Sequence, residues 1–184
     1  MRTVITGQIG MDKKPYLEEI ARLAGERGGN VDIFNVGQMM YSEGPDIREG
    51  RILDLPLSRL RSLRRAAIKD IISQTSPVDE HQNVIMNTHA TFRWRHGLFP
   101  AFDFDQLIEF KPELFICLVD NIEVVHDRLH AEHDIDATLK DCMVWREEEI
   151  LATELMAQAV GCRNSFYVLS RGRHQSTTET CYRL

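Results

Sequence analysis

A strand, a glycine turn, a helix and a second strand fit within the first 36 residues, and this succession narrows most what the chain can fold into. Arg2–Thr6 is a short β-rich run that stops at Gly7. From residue 15 to residue 27, Leu17, Ile20, Leu23 and Ala24 recur at helical spacing. Pro15 suits the first turn of that helix, and Gly28 with Gly29 ends it. Residues 31–36 read as the next strand. Two strands joined through a helix make a βαβ unit, and its strands must run parallel because the crossover returns the chain to the same end.

The pattern continues. The spacing predicts a helix over residues 57–72, with Leu60, Leu63, Ala67, Ile68 and Ile71 on one face. A compact strand follows at residues 83–87, then a loop marked by Gly97 and Pro100, and a short helix over residues 104–110. Residues 114–119 are nearly all apolar, as suits a central parallel strand buried on both faces. Helices are predicted over residues 122–130 and 139–160, and a last strand over residues 166–169. Strands alternating with helices imply a parallel sheet covered on both faces. Residues 170–184 carry no clear pattern and are expected to be an irregular tail, a linker to a further domain, or a segment that packs on a partner. The 184 residues suit one core, so residues 1–169 are read as one domain.

Composition narrows the function classes. Hydrophobic residues make up 43% and charged residues 27%, a globular balance. No apolar run reaches the roughly 18–20 residues of a membrane span, and the N-terminus is too polar for a secretory leader. The four cysteines, Cys117, Cys142, Cys162 and Cys181, lack metal-ligand spacing and are expected to be reduced thiols of a cytoplasmic protein. With 28 acidic and 22 basic residues the net charge is −6, which argues against wholesale nucleic-acid binding. Basic residues still cluster locally, Arg59, Arg61, Arg64, Arg65 and Lys69 in one group and Arg93, Arg95 and His96 in another, leaving room for a small anionic ligand.

Ligands of open parallel sheets bind beyond the carboxyl ends of the strands, which directs attention to the turn after the first strand. It reads Gly7, Gln8, Ile9, Gly10, Met11, Asp12, Lys13, Lys14. Against the phosphate-binding pattern G-x-x-x-x-G-K-[ST], Gly7 and Lys13 match. Asp12 stands in place of the second glycine, and Lys14 in place of the hydroxyl that holds Mg²⁺. A carboxylate about 4–5 Å from a phosphate costs on the order of 3–4 kcal/mol at an effective dielectric near 20. Lys13, Lys14 and the helix N-terminus oppose that cost. Asp12 can instead cap the helix.

Several motifs resemble the archaeal type of adenylate kinase, in order and over almost the whole chain. The run Val31, Asp32, Ile33, Phe34, Asn35, Val36, Gly37, Gln38, Met39, Met40 resembles that family's second strand and the start of its monophosphate site. Asn87, Thr88, His89, Ala90, Thr91, Phe92, Arg93 with Gly97 is similar to the Asp-Thr-His strand end and its loop. Phe110 to Ile116 resembles the approach to the fourth strand, and Glu123 to Leu129 the helix that precedes the lid. The resemblance implies a three-layer α/β/α P-loop NTPase fold of the nucleotide-kinase kind, with a five-stranded parallel sheet. It also implies phosphoryl transfer from ATP, with Mg²⁺ in doubt, to a nucleoside monophosphate. On the same resemblance Lys13, Arg128 and Arg146 act on the transferring phosphoryl group. Gly7, Gln8, Ile9, Gly10, Met11, Asp12, Lys13 and Lys14 hold phosphate, while Gly37, Met40, Arg51, His89 and Arg93 (with Arg95 able to substitute) hold the monophosphate. Family members are often oligomers, so a homo-oligomer is one expectation.

The departures touch three parts of the ATP machinery. They are the loop, the Mg²⁺ surroundings, where Asn87 replaces an aspartate, and the lid, where residues 130–136 contain no arginine. No metal-binding residue is assigned. Whether the chain is an enzyme stays open at this point: a nucleotide phosphotransferase, a non-catalytic nucleotide or phosphate sensor, and a scaffold with an empty cleft are the three readings.

Overall fold

The computed structural model describes residues 1–48, 50–75, 82–94, 97–133, 135–162 and 165–170. Five parallel strands, β1 (Arg2–Thr6), β2 (Val31–Asn35), β3 (Asn83–Asn87), β6 (Leu114–Val119) and β7 (Phe166–Ser170), form one sheet in the order β2-β3-β1-β6-β7. A two-stranded antiparallel hairpin, β4 (Thr91–Trp94) and β5 (Gly97–Pro100), stands apart from it. The helices are α1 (Lys14–Glu26), α2 (Val36–Glu43), α3 (Leu57–Gln74), α4 (Phe104–Phe110), α5 (Ile122–His133) and α6 (Leu139–Ala159).

Alternation along the strands assigns each face. Val4, Val84, Met86 and Phe115 join one core with Met40, Leu60, Ile68, Phe110 and Met156, so α2, α3, α4 and α6 cover that side. Ile5, Ile85, Ile116 and Leu118 point the other way and pack on Tyr16, Leu17 and Ile20 of α1. A third cluster, Val125, Leu129, Ala137 and Cys142, lies where α5 meets α6. This is the P-loop kinase fold, a five-stranded parallel sheet between helical layers. The strand order reverses at β1, so the crevice at its carboxyl end is the ligand position that topology dictates.

The predicted strands at residues 2–6, 83–87 and 114–119 and the helix at 104–110 coincide with β1, β3, β6 and α4. Two elements differ. Val36 begins α2 rather than ending β2, because the Asn35 side chain accepts a hydrogen bond from the Gln38 N–H and caps the helix. The loop around Gly97 and Pro100 is a hairpin, with Phe92 opposite Phe99. Cys117, Cys142 and Cys162 are free thiols, while Cys181 and the tail beyond Ser170 lie outside the described residues. No helix among the described residues is long and apolar enough to cross a membrane.

Candidate functional site

Residues 7–14 leave β1 and wrap over the N-terminus of α1. Gly7 and Gly10 supply the backbone freedom. Gly10 has φ 83°, and an added Cβ there would lie 2.9 Å from Leu129 Cγ of α5. The Met11 N–H turns back to the Gln8 carbonyl at 3.0 Å. Arg128 of α5 donates to the Gly10 carbonyl at 2.6 Å, so a cation sits against the loop. Asp12 is half-buried, and its carboxylate accepts the Lys14 N–H at 3.3 Å. It therefore serves the helix start while still lining the cleft.

Lys13 is buried, 6% exposed, and its ammonium donates to the Thr88 carbonyl at the end of β3. Burial lowers its pKa from 10.5 to about 8, against the raising effect of Glu149. Beside it the His89 Nδ1 bonds the Gly7 carbonyl, which makes Nδ1 the protonated nitrogen of a neutral ring and leaves Nε2 as an acceptor. Burial and the neighbouring Lys13 hold the His89 pKa well below its usual value.

Two further residues hold the site together, Glu149, which the sequence did not single out, and Arg64, which it named only within a basic cluster. Glu149 of α6 is 1% exposed, and its carboxylate accepts from the Gly7 N–H at 3.1 Å, the Ala90 N–H at 2.6 Å, the Thr91 N–H at 2.9 Å and the Thr91 hydroxyl at 2.6 Å. It ties the first residue of the loop to the segment between β3 and β4. Arg64 of α3 is 5% exposed and donates to Thr88 Oγ1 at 2.5 Å and to the His89 carbonyl at 2.9 Å. The signal for both was periodicity. Glu149 shares a helix face with Cys142, Thr153 and Met156, and Arg64 lies four residues from Leu60 and from Ile68.

A cleft of about 540 Å³ opens over the loop, also reached by Asn35, Gln38, Asn87, Glu132 and His133. Of the residues assigned from sequence, Gly10, Met11, Asp12, Lys13, Lys14, His89 and Arg128 line it. Gly7 and Gln8 are buried at the loop's base, and Ile9 packs on the cluster beneath α5. The remaining assignments lie elsewhere. Arg146 pairs with Glu147 at 2.9 Å and Arg51 with Asp54 at 2.5 Å. Arg93 stacks on Trp145, 4.4 Å from the ring centre. Met40 is a core residue of α2, 2% exposed, and Gly37 lies exposed in that helix's first turn. Arg95, named as the substitute for Arg93, lies outside the described residues.

The residues present do not form a Mg²⁺ pocket of the P-loop type. The hydroxyl position carries Lys14, an exposed ammonium 3.7 Å from Glu18, and the end of β3 offers the amide of Asn87. The Asn87 Oδ1 is buried without a partner, an acceptor facing a site that lacks the usual carboxylate. Among the described residues no group of His, Cys, Asp and Glu side chains could hold a metal ion.

Comparison with solved structures finds the same fold in a shikimate kinase from Bacteroides thetaiotaomicron, at TM-score 0.59 and 15% identity over 100% of this chain and 97% of that one. A gluconokinase from Sinorhizobium meliloti 1021 matches at TM-score 0.57 and 14% identity, over 99% and 89%. A shikimate kinase from Acinetobacter baumannii, in complex with shikimate, matches at TM-score 0.59 and 10% identity, over 98% and 89%. The family model described as AAA domain matches residues 6–142, which run from the end of β1 through the loop and α5 into α6. The chain is a member of the AAA-domain family, built on the P-loop kinase fold.

Proposed function

We propose that the chain binds the phosphates of ATP in the cleft over residues 7–14 and transfers a phosphoryl group to a small acceptor. A nucleoside monophosphate is the acceptor that the adenylate-kinase resemblance implies. The observation that carries this reading is that Lys13 and Arg128 line one cleft over the loop, at the topological switch point of the sheet. Phosphoryl transfer asks a protein mainly to position two reactants and to neutralise spread negative charge. Lys13 would leave the Thr88 carbonyl for the phosphate oxygens, and Arg128 would approach them over Gly10. An acceptor oxygen would then attack the γ-phosphorus as ADP leaves. Likeness in fold to a shikimate kinase and a gluconokinase supports a small phosphorylatable acceptor.

A second reading has its own support. Lys13 is already bonded within the protein, Glu149 occupies the Gly7 N–H, and Lys14 and Asn87 replace the groups that organise Mg²⁺. A nucleotide or phosphate sensor without turnover fits those features. Measuring ADP production from ATP, with AMP and other monophosphates as acceptors, separates the two. Turnover that falls by at least about 10²-fold in Lys13→Ala supports transfer. Nucleotide binding without any turnover supports the sensor.

A further inference from the structure

A second cleft, of about 450 Å³, opens between α3, the β4–β5 hairpin and the start of α4. It lies across Thr88 and His89 from the loop cleft, since Arg64 borders it while bonding both of those residues. Its walls combine charge with aromatic surface. The Arg64 guanidinium is held between Phe92 and Phe102, 5.0 and 4.8 Å from the ring centres. Burial lowers the Arg64 pKa to about 9 despite the favourable field of Glu149, and the group remains cationic at neutral pH. The acid on this cleft, Asp103, is neutralised by its ion pair with Arg65. That leaves the charge of Arg64 and of Arg61, an exposed residue with no ion pair among the described residues.

Two buried polar atoms in the walls have no partner. Arg64 spends its Nη2 donors on Thr88 and His89, but its Nε–H bonds nothing. Gln106, also 5% exposed, donates its amide to the Arg65 carbonyl at 2.8 Å, and its Oε1 accepts nothing. An orphaned buried group is costly, and a ligand in the cleft that pairs with it would remove that cost. The donor and the acceptor specify complementary chemistry. An oxyanion answers Arg64 and Arg61, and a hydroxyl beside it answers Gln106.

We propose that this second cleft is a binding site for a small hydroxylated oxyanion, held by Arg64 and Arg61 through its charge and by Gln106 through its hydroxyl. The site is separate from the phosphate loop and does not depend on the kinase reading. The sequence already clustered these arginines, and the proposed function uses none of them.

The test is calorimetric titration of the full chain with two probes, glycerol 3-phosphate and glycerate, which carry the same motif on a phosphate and on a carboxylate. Saturable binding of at least one is expected, and the preferred probe identifies the kind of anion. Arg61→Glu, a surface change that leaves the core intact, should weaken binding at least about tenfold. Gln106→Glu, which places a carboxylate beside Arg64, should weaken it as much or more. In Lys13→Ala, which removes the cation of the phosphate loop, saturable binding should persist. Absence of saturable binding for both probes overturns the proposal, as does binding that Arg61→Glu leaves untouched. Binding lost in Lys13→Ala but kept in Arg61→Glu would place the anion on the phosphate loop instead.

Discussion

Glu149 shows how much of the site rests on one side chain. Its carboxylate gathers three backbone N–H groups and a hydroxyl at distances of 2.6–3.1 Å, in a buried setting. Replacing it with Ala leaves the N–H groups of Gly7, Ala90 and Thr91 unsatisfied in the interior. The expected loss is about 3–5 kcal/mol of stability, read by urea denaturation, with Glu149→Gln losing less because it keeps an acceptor. Lys13 makes a prediction in pH. Its folded pKa of about 8 lies below the ordinary 10.5, so its burial is unfavourable while it is charged. As pH rises the folded chain releases this proton first, and the unfolded chain releases it later. The contribution of Lys13 to stability is therefore constant and adverse below about pH 8 and improves between about 8 and 10.5, by about 3 kcal/mol in all. Phosphate binding runs the other way. Affinity for inorganic phosphate should fall as pH climbs above about 8 in the wild type, and the fall should be absent in Lys13→Arg, whose charge persists.

At the scale of elements, two glycines give opposite expectations. Gly25 lies in α1 with nothing within 4 Å of a built Cβ, so Gly25→Ala should stabilise the chain by about 0.5–1 kcal/mol. Gly10→Ala places a Cβ against Leu129 in a left-handed conformation and should cost about 1–3 kcal/mol while weakening nucleotide binding. Thermal melts of the two variants check both. The start of α6 is fixed by reciprocal bonds between Thr138 and Asp141, and Thr138→Ala should cost about 1 kcal/mol. Helices and central strands were legible in sequence because a period of 3.6 or an unbroken apolar run reports burial directly. The β4–β5 hairpin was not. Its residues Thr91, Phe92, Leu98 and Phe99 alternate too briefly for a period to register, and Gly97 and Pro100 read as loop. The start of α2 was hidden for a different reason, since the cap is a side-chain bond from Asn35 that no apolar spacing announces.

For the whole molecule, the sequence carried the topology further than the chemistry. Strand–helix alternation led to a parallel sheet, and the loop after β1 fell where the strand order reverses. The candidate phosphate loop stood out because its residues are contiguous, from Gly7 to Lys14. Which arginines turn inward was not legible, because that depends on packing. Arg51 and Arg93, chosen by resemblance, are engaged by Asp54 and Trp145, whereas Arg64 is the arginine drawn to the end of β3. Charge on a helix reads as surface until a neighbour's position is known. The central claim is that Lys13 answers to nucleotide phosphate, and following thermal stability during ATP titration tests it most directly. At about 100 times the dissociation constant, bound ATP should add about 2.7 kcal/mol and raise the melting temperature, and Lys13→Ala should abolish that rise. An equal rise in Lys13→Ala, or none in the wild type, would contradict the account.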